Sequence, residues 1–259
     1  MVGSSIQRKL RGDDRFRVVP VERGTTLPVT DGPSFLIHAA WPHNDDEAWS
    51  QFLDWTLELH RSAAACNAWF VALGSGIEAC AEHPGLKDPY LGYARRKLDL
   101  RSALEGQGPL SWVRLHFMFG PGEQPSRLLP AAVRAALANE EFVCGSLDRR
   151  RRWLHLEDQA DFLARFLVDP QPGQWDIAGR SDVSFRDLLD LVGRAVGRKL
   201  QLRESDAPAP DSALAFVVPE RMAPVVPADA GDPANLTRRL EEYVAQLRAT
   251  STEVEPGLG

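Results

Sequence analysis

The sequence predicts an α/β protein built on a doubly wound parallel sheet. Two long apolar runs, the helix-like stretches between them, and a length of 259 residues, enough for one large core and a smaller lobe, support this fold class. The runs at 35–40 (FLIHAA) and 68–73 (AWFVAL) lack the alternation of a half-exposed strand, so they predict strands buried on both faces. Strands that alternate with helices are typical of a parallel sheet covered on both sides.

The first half of the chain continues this alternation. In addition to the two buried strands, its predicted elements are a strand at 16–21 (FRVVPV), a helix over 45–65 capped by Asn44 or Asp45, a helix over 90–104 and a strand at 111–119 (SWVRLHFMF). The second half is predicted as a helix over 125–139, a strand at 142–145, a segment at 153–169 that ends in a helix, a strand at 174–178, a helix over 185–196 capped by Ser184, a loop at 205–211 and a helix over 233–248.

These elements predict two structural units. Residues 1–120 form the sheet domain, and residues 121–250 form mainly a small α/β substrate lobe, from which 153–169 returns to the sheet domain. Residues 251–259 are predicted to be a disordered tail.

Composition and charge exclude several classes of function. A net charge of -6 argues against a nucleic-acid partner, and the absence of an apolar run of 18 residues argues against a membrane span. The N-terminus has no basic stretch followed by an apolar one, so a cytoplasmic location is expected. The three cysteines and six histidines show no metal-ligand spacing, so no metal site is predicted.

The candidate chemistry lies at a Ser, a Tyr and a Lys. Tyr93 and Lys97 stand four residues apart on a predicted helix, so they project from the same face, where an ammonium favours the phenolate. Ser75 ends a predicted strand, and ligands of open α/β sheets bind beyond such strand ends. Alone, a Tyr and a Lys at this spacing are common, and a solvated Lys beside a half-buried Tyr is the alternative interpretation.

Several motifs in order resemble those of one family. GSGIEAC followed by YARRK resembles the Gly-Ser-x-x-Glu-Tyr-Gly and Tyr-x-x-x-Lys motifs of extended short-chain dehydrogenases/reductases, in the nucleotide-sugar epimerase/dehydratase branch. FLIHAAW, FGPGEQPSRLLP, RRRWLHLEDQADFLARFL and WDIAGRSDVSFRDLLDLV resemble further motifs of that branch, over roughly residues 35–200. The resemblance implies a Rossmann-like fold and an NAD- or NADP-dependent reductase or epimerase. Its implied substrate is a nucleoside-diphosphate sugar, for example a 4-keto-deoxysugar in deoxysugar or natural-product biosynthesis.

The resemblance also implies roles for individual residues. Tyr93 is the catalytic acid/base, Lys97 supports it, and Ser75 orients the reacting oxygen. The implied cofactor-binding residues are Gly3, Ser4, Ser5, Arg23, His38, Ala39, Ala40 and Lys97. The implied substrate-binding residues are Glu78, His116, Arg127 and Arg151, with Arg151 at the pyrophosphate.

The front end departs from the family pattern. The family has a buried strand leading into Gly-x-x-Gly-x-x-Gly, whereas this chain keeps one glycine of the three and has Gln7 where the last should be. Three explanations stay open: the chain starts upstream, a partner subunit covers the gap, or the sheet is reduced so that 16–21 pairs directly with 35–40. The reduced sheet is favoured. A cofactor-free or non-catalytic relative that binds a ligand or a partner subunit is therefore the alternative function, and a homodimer stays open.

Overall fold

The structure is a computed structural model that describes residues 2–21, 27, 32–41, 46–205 and 217–252. Its elements in chain order are α1 (Val2–Arg11), β1 (Phe35–His38), α2 (Asp46–Ala65), β2 (Trp69–Ser75), α3 (Tyr90–Leu104), β3 (Leu110–Leu115), β4 (Met118–Phe119), α4 (Leu128–Ala138), β5 (Glu141–Cys144), β6 (Arg150–Arg151), β7 (Leu154–His155), α5 (Leu156–Phe166), β8 (Gly173–Ile177), β9 (Val183–Ser184), α6 (Phe185–Val196), β10 (Gln201–Glu204) and α7 (Pro233–Thr252).

The main sheet has four parallel strands in the order β1-β2-β3-β8. Side chains alternate between its faces, so Val71 and Val113 pack with α1 and α5 on one face while Phe70 and Trp112 pack near α2 on the other. All four side chains are almost fully buried, as continuous apolar strands predict. The α/β fold class with a parallel sheet is thereby confirmed.

The predicted strand at 16–21 is wrong. These residues form no strand, and β1 is paired with β2 alone among the described strands. Pro20 gives a physical reason, because proline has no N–H to donate to a strand neighbour. Phe16 and Val18 pack on the α1 and α5 face, whereas Val21 packs on the α2 face. The segment therefore passes from one face of the sheet to the other, and the predicted pairing with 35–40 is also wrong.

The predicted strand at 111–119 is interrupted. β3 pairs with β2 and β8 in the main sheet, whereas β4 pairs with β7, a strand of a separate two-stranded sheet. The residues between them, His116 and Phe117, are where the chain leaves the main sheet. The site described below lies next to this break.

The second half of the chain adds a lobe with its own core. α4, α6 and α7 pack around Phe119, Leu188 and Tyr243, and β5 pairs with β10 beside them. α6 starts as predicted, because the Ser184 side chain accepts a hydrogen bond from the Asp187 N–H. β8, which was grouped with the lobe, lies in the main sheet. The division into a sheet domain and a substrate lobe stays a prediction.

No described helix is both long enough and apolar enough to cross a membrane. Among the residues that the structure describes, no group of three or more His, Cys, Asp or Glu side chains is arranged to hold a metal ion.

Candidate active site

Ser75 stands where β2 ends and a short 3₁₀ helix, Gly76–Cys80, begins. Its backbone is extended (φ -140°, ψ 139°), and its side-chain oxygen accepts a hydrogen bond from the Ile77 N–H at 3.5 Å. The hydroxyl is therefore held at the carboxyl edge of the parallel sheet, where ligands of this fold class bind.

Tyr93 and Lys97 lie one turn apart on α3 and both reach the end of β2. The Tyr93 hydroxyl is hydrogen-bonded to the Ser75 side chain. The Lys97 Nζ donates to the Leu73 carbonyl oxygen at 2.7 Å, and Lys97 is only 4% exposed. The structure thus brings the three predicted catalytic residues together, with Ser75 and Tyr93 in direct contact.

Burial sets the proton affinity of this cluster. It raises the pKa of Tyr93 to about 12, although the Ser75 hydrogen bond and the Arg127 charge act against the rise. Burial also lowers the pKa of Lys97 to about 8, although the Glu78 charge acts against that fall. Tyr93 is therefore a phenol at neutral pH and is ready to donate a proton.

Glu78 is buried and is engaged by the protein itself. Its Oε1 accepts from the Ser75 backbone N–H at 2.5 Å, and its Oε2 accepts from Trp112 Nε1 at 2.9 Å. Ser75 and Glu78 form a capping box at the start of the 3₁₀ helix. The substrate contact implied for Glu78 does not fit a side chain that is 4% exposed and has both oxygens occupied.

Trp41 covers the ammonium of Lys97. The Lys97 Nζ lies 3.9 Å from the centroid of a Trp41 ring, and the Trp41 and Tyr93 rings meet edge to face at 5.0 Å. Trp41 also contacts Trp49 and Phe52 of α2. The sequence resemblance did not single out Trp41, although an aromatic residue directly after His-Ala-Ala was a visible signal of a side chain near the cofactor groove.

The residues predicted to bind the cofactor divide into those at the first turn of α1 and the end of β1, and those whose side chains are used within the protein. Gly3 in the first turn of α1 lies against Ala39, since a Cβ built on Gly3 would be 3.6 Å from the Ala39 Cβ. Ser4 and Ala40, which follow Gly3 and Ala39 in the sequence, are both exposed. Ser5 is buried and its hydroxyl donates to Glu157 at 3.4 Å, so that hydroxyl is used within the protein.

The His38 side chain is a core residue. It is 5% exposed, contacts the Thr56 hydroxyl at 3.2 Å and packs against Phe52 and Phe70. Burial lowers the pKa of His38 to about 3, so the ring is neutral at ordinary pH. Its side chain is therefore used within the core, which leaves only its backbone for the predicted cofactor contact. Arg23 lies outside the described residues.

Of the residues predicted to bind substrate, Arg127 is the best placed. It is exposed at the start of α4, and its charge acts on both Tyr93 and Glu123. Arg151 is instead buried, with its guanidinium 4.8 Å from the Phe117 ring centroid, and its charge acts on Cys80.

His116 belongs to a buried polar network that the sequence did not reveal. Its Nε2 lies 2.7 Å from Asp176, which also accepts two hydrogen bonds from Arg114 at 2.8 Å. Its other ring nitrogen is buried beside Gly76, where a Cβ would lie 2.5 Å from it. Through His116, the network packs directly against Gly76 at the start of the 3₁₀ helix that follows Ser75. The network forms because β3 pairs with β8, and no short sequence motif predicts that pairing.

Fold and site together define a class: parallel α/β proteins with a Ser, Tyr and Lys at the carboxyl edge of the sheet. A family model, the NAD dependent epimerase/dehydratase family, matches residues 32–178. The chain belongs to this family, because the match covers more than half of its length and contains all four strands of the main sheet. A search of curated protein sequences finds no significant match.

Solved structures show the same fold at low sequence identity. RMD from Pseudomonas aeruginosa complexed with NADPH is 18% identical with a TM-score of 0.67, over 96% of this chain and 95% of that one. A dTDP-4-dehydrorhamnose reductase from Clostridium acetobutylicum is 16% identical with a TM-score of 0.67, over 95% and 96%. A UDP-N-acetylglucosamine 4-epimerase from Methanobrevibacter ruminantium in complex with UDP-N-acetylmuramic acid is 16% identical with a TM-score of 0.62, over 84% and 77%.

The residues present fit a nicotinamide dinucleotide if one side chain moves. The N-terminal turn of α1 lies beside the end of β1, where backbone N–H groups suit a pyrophosphate. Lys97 lies one turn from Tyr93 on α3, with its ammonium 5.9 Å from the Tyr93 ring centroid, a place that suits a group holding the nicotinamide ribose. Trp41 occupies the space over the Lys97 ammonium and must turn away for ribose hydroxyls to reach it.

Proposed function

We propose that this chain is an NAD(P)-dependent reductase or epimerase of a nucleoside-diphosphate sugar, for example a 4-keto-deoxysugar, with deoxysugar or natural-product biosynthesis as the setting. The observation that carries the proposal is the Ser75–Tyr93 hydrogen bond with Lys97 one turn away at the carboxyl edge of the sheet. Family membership and similar structures that hold NADPH or a nucleotide sugar support it.

The residues of the site divide the chemistry among them. When bound, the dinucleotide supplies or accepts the hydride at the sugar carbon. Lys97 would hold its nicotinamide ribose, and the first turn of α1 would hold its pyrophosphate. Tyr93 passes a proton to the sugar oxygen, and the Ser75 hydroxyl hydrogen-bonds the same oxygen. The Lys97 ammonium then stabilises the phenolate that remains on Tyr93.

Arg127 supports an anionic substrate. It is exposed, and its charge reaches Tyr93, so a phosphate that pairs with it keeps the attached sugar near the proton donor. A guanidinium binds phosphate oxygens in a bidentate manner, which suits a diphosphate. Arg151 is buried beside Phe117, and its proposed pyrophosphate contact requires the lobe to open around it.

The test is turnover with a panel of substrates. The protein is mixed with NADH or NADPH and with UDP-, dTDP-, GDP- and CDP-linked 4-keto sugars, and the absorbance of the reduced nicotinamide is followed. Chromatography of the same sugars with the oxidised dinucleotide detects epimerisation. Turnover of one panel member is the expected result. A lack of both binding and turnover across the panel would refute the substrate class.

A second function is favoured by the packing of Trp41. A cofactor-free relative that binds a ligand or a partner subunit has no need to expose Lys97, and its first helix needs no glycine-lined channel. Calorimetric titration with NADH and NADPH separates the two functions. Saturable binding supports the enzyme, whereas the absence of heat and of thermal stabilisation supports the cofactor-free relative.

A further inference from the structure

The ring of His116 packs against the glycine that follows Ser75. A Cβ built on Gly76 would lie 2.5–2.9 Å from three atoms of that ring, Nδ1, Cε1 and Cγ. Gly76 does not have the positive φ that favours glycine at other positions of the described chain, so the ring, and not the backbone conformation, requires a glycine here. Position 76 therefore tolerates only glycine while His116 keeps its place.

The His116 ring is itself held by a carboxylate in the core. Asp176 of β8 is fully buried and accepts five hydrogen bonds at 2.7–2.9 Å. The donors are Nε and Nη2 of Arg114, Nε2 of His116, and the backbone N–H groups of Glu220 and Arg221. A carboxylate surrounded by five donors is ionised and can only accept, so the His116 Nε2 carries a proton. Asp176 thus fixes the place of the ring.

The contact between the ring and Gly76 lies where Ser75 leaves the sheet. Ser75 ends β2 and is paired with the last residue of β3, and Gly76 and His116 directly follow these two strand ends. The Ser75 hydroxyl is bonded to Tyr93 and accepts the Ile77 N–H at 3.5 Å, which is a long hydrogen bond. A hydroxyl held in this way takes its position from the backbone that carries it. The His116 ring limits how closely that backbone approaches the end of β3.

We infer that His116 is a positioning residue whose ring fixes the turn at Gly76 and so holds the Ser75 hydroxyl at Tyr93. A ring this deeply buried acts through the backbone and not by touching a substrate, so this role stands in place of the substrate contact that the resemblance implied for His116. The effect on catalysis rests on the proposed function, in which Ser75 and Tyr93 bind the same sugar oxygen. The effect on the position of Ser75 does not, because it depends on packing within the protein alone.

The pairing of β2 with β3 and the capping box of the 3₁₀ helix are the competing explanation for the position of Ser75. Two substitutions test the ring without changing a residue of that pairing or of that box. Gly76→Ala adds a methyl group that overlaps the ring, and since Asp176 holds the ring, the turn is pushed away from it. His116→Ala removes the ring, so the turn relaxes into the space that is left. In the double variant, the added methyl group fills part of that space.

The readout is the distance between the Ser75 and Tyr93 hydroxyl oxygens in crystal structures of the variants, which needs neither cofactor nor substrate. This distance should exceed about 3.5 Å in Gly76→Ala and in His116→Ala, and should return to hydrogen-bonding distance in the double variant. His60→Ala is the matched control. His60 is a buried histidine beside Gly108, at the other end of β3, so its loss should leave the two hydroxyls bonded.

Two results would overturn the inference. One is a Ser75 hydroxyl that stays bonded to Tyr93 in folded Gly76→Ala, because strand pairing and the capping box would then be sufficient. The other is a displacement of Ser75 in His60→Ala as large as that in His116→Ala, because a general loss of packing would then explain both. Gly76→Ala retains every residue of the Asp176 network, so it decides the question even if His116→Ala does not fold.

Turnover separates a positioning role from a merely structural one. If the protein converts a nucleoside-diphosphate sugar, kcat should fall about tenfold in Gly76→Ala and in His116→Ala, as for the loss of one hydrogen bond to the sugar oxygen. KM should stay near the wild-type value, because Arg127 is untouched. His60→Ala should lower the melting temperature without changing kcat.

The two readouts together distinguish failure of this inference from failure of the proposed function. A displaced Ser75 in a protein that converts no sugar nucleotide would leave the positioning role standing and sink the proposed function. An undisplaced Ser75 in a protein that does convert one would do the reverse. A displaced Ser75 with kcat at the wild-type value would refute the effect of His116 on catalysis.

Discussion

Replacing Trp41 with alanine is expected to strengthen dinucleotide binding. The Trp41 ring lies 3.9 Å from the Lys97 Nζ, and Lys97 is 4% exposed, so the cation–π contact is largely shielded from water. A desolvated contact of this kind contributes about 2 kcal/mol. If ribose hydroxyls must displace the ring to reach Lys97, the wild type loses that energy on binding, and about 2 kcal/mol corresponds to about 30-fold in affinity.

The assay is calorimetric titration of the wild type and of Trp41→Ala with NADH and NADPH. Trp49→Ala is the matched control, because Trp49 packs 5.3 Å from Trp41 but has Arg96 over its ring in place of Lys97. Affinity should rise about 30-fold in Trp41→Ala and stay unchanged in Trp49→Ala. Equal or weaker binding by a folded Trp41→Ala would show that the ring is a platform for the dinucleotide and not its obstacle.

Three further predictions follow from buried or exposed charges. Asp176→Ala removes both hydrogen bonds from the buried Arg114 guanidinium to Asp176 and leaves it only the exposed Glu220 carboxylate at 3.3 Å, so urea melts should show a loss of about 3–5 kcal/mol, and a change under 1 kcal/mol would contradict this. The folded-state pKa values of His38 and His155 are lowered by burial to about 3 and about 4, so below about pH 6.5 the unfolded chain takes up protons first. The melting temperature should therefore fall between about pH 6.5 and 4, and a flat acid profile would refute it. Arg127→Ala should weaken nucleoside-diphosphate binding by about 1.5–3 kcal/mol in calorimetry without altering the melting temperature, and unchanged affinity would remove Arg127 from the site.

Local patterns in the sequence predicted the strands and helices that carry the site. The predicted bounds of β1, β2 and the helix Tyr90–Leu104 agree with the structure to within a few residues. Buried strands and amphipathic helices each give a recognisable pattern of apolar residues in the sequence. Tyr93 and Lys97 were found by their spacing on one helix face, and Ser75 by its place at a strand end.

Contacts between distant segments were not predictable in the same way. Residues 16–21 have the apolar content of a strand. They form none, because Pro20 has no N–H to donate and because their side chains pack on both faces of the sheet. Trp41 reaches Lys97 across 56 positions of sequence, a contact that only the fold brings about. The role of Glu78 had a local signal, since Ser-x-x-Glu is a capping box, but the family resemblance drew attention to a substrate contact instead.

The central claim is that Tyr93 donates the proton to the sugar oxygen in the proposed reaction, and one comparison tests it most directly. The rate of oxidation of NADH or NADPH in the presence of the preferred nucleoside-diphosphate 4-keto sugar is measured for the wild type and for Tyr93→Phe, which loses only a hydroxyl. A fall of about 10²–10⁴-fold in turnover, with the melting temperature and the affinity for the sugar nucleotide retained, is the predicted result. Turnover by Tyr93→Phe at the wild-type rate would contradict it.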